Sequence, residues 1–327
     1  MSSAVADALG VSGVFFDPLW RIEVALTPLE CRLLRSRWVR RLAFVSHAGA
    51  SSIATLQSYS RLEHSLGLLA LVAHFTPEDR AARVAALLHD IGHLPFSHTF
   101  EGVAGLDHHS LGAARIRDLA PLLKTGGIDA DEVIAIAQGD RPSALHNDSG
   151  VLRLDHLESF VRSGRSHGRT TQPPPATLRQ LRVTEGAVDT DEDTARYLIE
   201  LITAEARSHL SEINVVTNAV LRHLAARLFE GAPPSSVLNI AQLTDDQFWA
   251  LLLTTPNTSE LAQELRDDPL QWSATALGGN DADTADGLQH TVHRLYLDRP
   301  LVNSEPADLP VAALPPTPVR YRITARG

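Results

Sequence analysis

Apolar positions recur at helical spacing through most of this chain, and they are organised around one stretch, RVAALLHDIGHLPFSHTFE at residues 83–101. Val84, Leu87, Leu88 and Ile91 share one face of a helix predicted over 77–91, which Pro77 opens and Gly92 and Pro95 end. A second apolar helix is predicted upstream over 61–75, and another downstream in SGVLRLDHLESFVRSGR. Between them, Asp107 is placed to cap a helix in LDHHSLGAARIRDLAPLL, and a further helix is predicted near 128–138. Two β-favouring runs flank Asp17-Pro18 and predict a hairpin, as does LRVTEGAVDT with its turn at Glu185-Gly186. Thr27-Pro28 starts a helix that runs on through LECRLLRSRWVRRLAFV. Its face of Leu33, Leu34, Trp38 and Leu42 reads as core, and Arg35, Arg37, Arg40 and Arg41 read as a solvated face. Helices over 192–204 and 206–230 complete a main domain, residues 1–234. From 235 to 327 the pattern changes to a small α+β appendage, with a loop at TALGGNDADTADGLQ and an edge strand through Val319, Tyr321 and Ile323. The fold class that follows is mainly α, a helical bundle with small β-hairpins, and no internal repeat is present.

Composition narrows the class without naming an activity. With 44% hydrophobic and 21% charged residues in 327, the chain is an ordinary globular sequence. A formal net charge of -10 disfavours stable nucleic-acid binding, which rewards clustered cations. Cys31 is the one cysteine, so no internal disulfide forms, which fits a cytoplasmic setting. No apolar run approaches the length of a membrane span, and no signal-peptide pattern opens the chain.

The chemistry concentrates where the 77–91 helix ends. His89-Asp90 offers one nitrogen and one oxygen donor at a single point, a mixture suited to a divalent ion such as Mn, Fe, Co, Ni, Zn or Mg. Two ligands do not hold a catalytic metal. His64 on the upstream helix and Asp155 on the downstream one complete a set of two imidazoles and two carboxylates. Arg61 precedes His64 by one turn on the same face, and His93, His98 and Glu101 follow in the corner after the helix.

The order RLEHSLG, LLHDIGHLPFSHTFE and LRLDHLESFVRS resembles the HD-domain metal-dependent phosphohydrolases, and most closely the branch with the SAM- and HD-domain deoxynucleotide triphosphohydrolases. The 15-residue block LLHDIGHLPFSHTFE carries most of that likeness, which extends over about residues 14–300 and fades beyond 235. The resemblance implies an HD-domain helical bundle, a metal held by His64, His89, Asp90 and Asp155, a nucleotide substrate, and a homo-oligomer, dimer or tetramer. It implies that His98 is the general acid for the leaving oxygen and that Glu101 orients it. His93, His109 and Arg61 match phosphate-contacting positions, and His108 reads as a bystander.

The departures from that pattern bear on substrate. His156 stands where the family has a Lys or Arg on the outer phosphates. Ser159 replaces a tyrosine beside the sugar 2′ carbon, Ser163 an aspartate on the 3′-hydroxyl, and His47 a sugar-contacting glutamine. Arg35 and Ala43 stand where some members bind an activating nucleotide, which implies that this site is lost. The expected function is therefore a phosphohydrolase releasing phosphate from a nucleoside 5′-monophosphate, possible 2′-hydroxy or 2′-modified sugars included. A deoxynucleoside triphosphate triphosphohydrolase is the first alternative and a nucleotide-binding regulator without turnover the second. An acid and its carboxylate, His98 and Glu101, argue for turnover, since binding alone needs neither.

Overall fold

Why the chain can bury two imidazoles and two carboxylates is a matter of which helix lies at its centre. The computed structural model describes residues 7–146, 150–278, 287–308 and 313–326. A hairpin of β1 (Val14–Asp17) and β2 (Ile22–Ala25) comes first, with Val14 opposite Ala25, as the Asp17-Pro18 turn predicts. The next expected helix is broken in two: α1 (Pro28–Leu34), closed by a Thr27–Glu30 capping box, and α2 (Arg37–Arg41), capped by Ser36. Ser36 competes for the backbone in mid-run, which is why the apolar face continues while the helix does not. Leu33, Leu34, Trp38 and Leu42 are core. Arg41 is not on a solvated face: it is buried and bonds the carbonyls of Gln242, Leu243 and His93.

The central element is α3 (Arg61–Phe75), started by a Ser60–Glu63 capping box and packed against α4 (Arg80–Leu88), the β-hairpin and α8 (Leu154–Ser166). Leu62, Leu66, Leu68, Leu69, Leu71 and Val72 bury it nearly all round, so Arg61 and His64 on its first turn are carried inside. Helix α4 begins at Arg80 behind the cap Asp79, three residues later than Pro77 predicts, and ends before His89. Helices α5 (His108–Asp118, capped by Asp107), α6 (Ala120–Thr125) and α7 (Ala130–Gln138) close that side. After α8 come α9 (Pro174–Leu178), the hairpin β3 (Arg182–Thr184) and β4 (Ala187–Thr190), and the long helices α10 (Glu192–His209) and α11 (Glu212–Phe229). Glu185 and Gly186 both adopt positive φ, the two-residue turn expected there.

Beyond α11 lie α12 (Pro234–Ile240), α13 (Asp245–Thr254) and α14 (Ser259–Asp267). Strands β5 (Trp272–Ala276), β6 (Leu288–Val292) and β9 (Val319–Ala325) form an antiparallel sheet in the order β5-β9-β6. The tail strand β9 is thus the centre of its sheet, not an edge. Strands β7 (Leu301–Val302) and β8 (Glu305–Pro306) join the β3–β4 hairpin, with β7 parallel to β4. Part of the loop expected at 275–289, residues 279–286, lies outside the described residues. The C-terminal elements share an apolar core with α11 and with Leu94, Phe96 and Phe100 of the His-rich corner. Among the described residues no helix is long and apolar enough to cross a membrane.

Candidate metal centre

Four side chains from three elements converge beside α3. His64 and His89 turn their Nε2 atoms toward each other at 3.3 Å. Asp155 Oδ1 lies 3.1 Å from His64 Nε2 and 3.8 Å from His89 Nε2. Asp90 places Oδ1 3.4 Å from His89 Nε2 and Oδ2 3.9 Å from His64 Nε2. Donors bound to one ion at about 2.0–2.2 Å stand roughly 3–4 Å apart, so these separations fit a shared divalent cation. His64, His89 and Asp155 each offer a donor atom within 4.8 Å of the others, and Asp90 stands beside them with Oδ1 also on His93 and Oδ2 also on Arg61.

The far sides of the rings support the same orientation. His89 Nδ1 donates to the Ala86 carbonyl at 3.0 Å, which leaves the Nε2 lone pair facing the site. His64 Nδ1 meets Glu158 Oε2 at 2.5 Å. Glu158 is fully buried and is held in turn by Arg162, whose other arm reaches Asp17. Burial opposes a charge on His64, but its bonds to Asp155 and Glu158 outweigh that and lift its pKa to about 9. The same balance holds Asp90 well below the usual carboxylate range: burial opposes ionisation, and Arg61, His89 and His93 overcome it. Asp155 is likewise held low against burial by its bond to His64. A metal ion would take the place of that proton, since His64 ligates only as a neutral imidazole.

Two glycines let the elements close in. A Cβ on Gly67 would sit 2.2 Å from Glu158 Oε1, and one on Gly92 would sit 2.0 Å from the His108 carbonyl and 2.5 Å from the Gly112 amide. The second contact is backbone on backbone, and it brings the start of α5 against the His-rich corner.

That corner departs from the expected pairing. His93 Nε2 lies 3.0 Å from Asp90 Oδ1, and its ring stacks on His108 and meets His98 edge-on. Glu101 accepts from His108 Nδ1 at 2.8 Å and makes no bond to His98, because α5 delivers His108 into its reach. His108, read as a bystander, thus belongs to the cluster. His109 is exposed, in contact with His108, and caps nothing in the centre. His98 is exposed at the mouth, yet protein crowds its ring. That desolvation, with Arg61 and His108 nearby, holds it well below the ordinary histidine range. Burial does the same to His93.

Arg61, expected on a phosphate, is buried and bonds Ser97 Oγ at 2.8 Å, Asp90 Oδ2 at 3.0 Å and the His47 carbonyl at 3.2 Å. His47 lies over the centre, with Nε2 3.3 Å from Ser159 Oγ and Nδ1 3.0 Å from Tyr59 Oη. Ser163 is buried, donating to Glu205 at 2.5 Å and accepting from Gln57. His156 has both ring nitrogens engaged, Nδ1 with Asp298 at 2.6 Å and Nε2 with Arg153 at 2.7 Å. Sequence reasoning did not assign Glu158, Arg153 or Asp298. Glu158 had a usable signal, since it lies one turn beyond Asp155 on the same face of a helix. Asp298 had none, being 142 residues from its partner.

Residues 61–160 match the family model of the HD domain. Among curated proteins, the uncharacterized protein YwfO of Bacillus subtilis is 31% identical over 167 residues, 44% of this chain and 39% of its own length. Mouse SAMHD1, a deoxynucleoside triphosphate triphosphohydrolase, is 32% identical over 104 residues, 27% of this chain and 16% of its own. The metal-dependent phosphohydrolase cns2 of Cordyceps militaris is 24% identical over 271 residues, 75% of this chain and 74% of its own. The chain thus spans well under half of YwfO and SAMHD1. Among solved structures, a hypothetical protein of Aquifex aeolicus superposes with a TM-score of 0.72 at 20% identity, covering 95% of this chain and 96% of its own. A Bacteroides thetaiotaomicron phosphohydrolase superposes with a TM-score of 0.63 at 20% identity, covering 82% and 80%. Residues 61–160 thus carry an HD domain, in which His64, His89 and Asp155 converge with Asp90 beside them, and the chain is similar over most of its length to a metal-dependent phosphohydrolase.

Proposed function

We propose that this protein hydrolyses the phosphate ester of a nucleoside 5′-monophosphate. His64, His89, Asp90 and Asp155 would hold the divalent ion, with Arg61 fixing Asp90 and Glu158 fixing His64. When bound, the ion supplies an activated water and polarises a phosphoryl oxygen. His98, exposed beside His93 and His108, would give a proton to the leaving oxygen. A phosphate dianion entering that corner would raise the proton affinity of the imidazoles that protein burial depresses, so substrate itself would charge the acid.

The observation that carries the monophosphate reading is the state of His156. Where the family resemblance puts a cation for outer phosphates, this chain has a ring whose two nitrogens are already engaged, one of them by the buried carboxylate of Asp298. A triphosphate tail gains little there. The second reading, removal of tripolyphosphate from a deoxynucleoside triphosphate, has its own support. The relative SAMHD1 bears that activity in its name, and Arg153, Nε 3.7 Å from Asp155 Oδ2, is a nearby guanidinium. Product analysis with manganese on AMP, dAMP, ATP and dATP decides. Orthophosphate released chiefly from a monophosphate is expected. Tripolyphosphate from dATP would replace the first reading with the second.

A further inference from the structure

The His-rich corner is held from outside the HD domain. Asp245, the first residue of α13, accepts the Phe96 amide on Oδ1 at 2.6 Å and the Ser46 amide on Oδ2 at 2.8 Å. Those amides open the two backbone segments that carry His98 and His47. Phe96 and Ser97 both sit at positive φ, 53° and 55°, a conformation that side-chain-bearing residues adopt only when their surroundings enforce it. Helix α13 enforces it twice, since the Phe96 ring also meets Phe248 and Trp249. Just before Asp245, two buried guanidiniums tie the same chain segment to the corner. Arg41 bonds the Leu243 and His93 carbonyls, and Arg115 bonds those of Ala241 and Ile91.

We propose that residues 241–245 brace the corner and that Asp245 is a positioning residue, which sets where His98 and His47 stand relative to the metal centre. It touches neither substrate nor metal, and it acts through two amides. The role rests on the phosphoryl hydrolysis proposed above, but its structural part does not depend on which ester is cleaved. One carboxylate oxygen per amide is the essential feature. Asparagine keeps one acceptor and turns an NH₂ toward the other amide, so one segment must shift.

The test compares Asp245→Asn and Asp245→Ala with Leu252→Ala. Leu252 is fully buried on α13 in the apolar cluster that also holds Phe96, and its side chain has no polar atom to bond the Phe96 or Ser46 amide, so its truncation loosens the helix by packing alone. Asp245→Asn should lower kcat about 10²-fold, the scale of an ångström misplacement, with manganese stoichiometry little changed. It should also weaken binding of inorganic phosphate to the manganese-loaded protein, measured by titration calorimetry. Leu252→Ala should lower the melting temperature yet keep wild-type kcat and phosphate affinity. Wild-type kcat and phosphate affinity in Asp245→Asn would overturn the inference, and so would equal losses in Asp245→Asn and Leu252→Ala. If the wild type cleaves no nucleotide, the functional reading fails, and phosphate affinity alone still decides the brace.

Discussion

Glu158 shows how much of the metal centre depends on a side chain that never faces the ion. It is fully buried, accepts from His64 Nδ1, and is paired with Arg162. Because the Nδ1 side is committed, His64 can present only Nε2 to the centre. Asp90 and Glu158 are thus both carboxylates of the site with different duties, and their substitutions should separate. If Asp90 is a ligand as proposed, Asp90→Ala should abolish metal retention and turnover together. Glu158→Gln keeps the shape and one acceptor oxygen while losing the charge, and should weaken metal affinity about 10–100-fold with residual activity at saturating metal. Glu158→Ala should instead cost about 3–5 kcal/mol of stability, because it removes the carboxylate shared by His64 and the buried guanidinium of Arg162 and leaves Arg162 with Asp17 alone. Metal content by elemental analysis, metal titrations and denaturation midpoints check the three. Full metal occupancy in Asp90→Ala would remove that residue from the ligand set.

Helix α8 carries much of the site on one stripe: Asp155, Glu158, Ser159, Arg162 and Ser163, three, four, seven and eight residues on from the first. Its position was legible because apolar residues mark the opposite face. The same periodicity gave α3, whose Ser60–Glu63 box signs its start. Two local signals misled. Ser36 breaks an apolar run without breaking its period, and Pro77 is a helix opener that the chain passes before Asp79 caps α4. The pairing of Glu101 with His98 is what the family resemblance implies, whereas in the fold Glu101 meets His108, which the close Gly92–α5 approach brings near. Ser159 tests the substrate side of α8. His47 already stands 3.3 Å from its hydroxyl, so a tyrosine there must displace that ring or fill the space before it. Ser159→Tyr is expected to penalise AMP against dAMP. A tenfold change in the ratio of kcat/KM corresponds to about 1.4 kcal/mol in the transition state. An unchanged ratio would leave the metal chemistry intact and remove the steric account of 2′ selectivity.

Among its contacts with the HD domain, the chain beyond 235 returns through Asp245 on the His-rich corner and through Asp298 on His156. Neither contact is visible in sequence, because each joins residues well over a hundred positions apart and neither has a local pattern. The tail strand was recognisable as a strand, but its place between β5 and β6 depends on partners that are equally distant. The C-terminal sheet also packs an imidazole against the same structure. His290 on β6 has its pKa lowered to about 4, first by burial and then by the charges of Arg222 and His293. Arg222 in turn donates to the carbonyls of Thr99 and Glu101, so this contact lies under the His-rich corner. His146 is similarly lowered to about 4, with burial the main cause. In the unfolded chain a histidine titrates near 6.5, so as pH falls from about 6.5 to 4 the unfolded state takes up these protons first. Stability from both neutral rings is therefore complete above about 6.5 and is lost progressively toward 4. His64, at about 9 in the folded protein, is protonated in both states below 6.5 and does not contribute to that slope. Urea midpoints of the metal-free protein should thus decline between pH 6.5 and 4, and His290→Gln should decline less steeply than wild type. Metal-free protein is the right sample, since acid also strips a bound ion and would add its own loss. Parallel slopes for wild type and His290→Gln would mean that His290 is charged in the folded state, and that the C-terminal sheet does not hold it neutral against the HD domain.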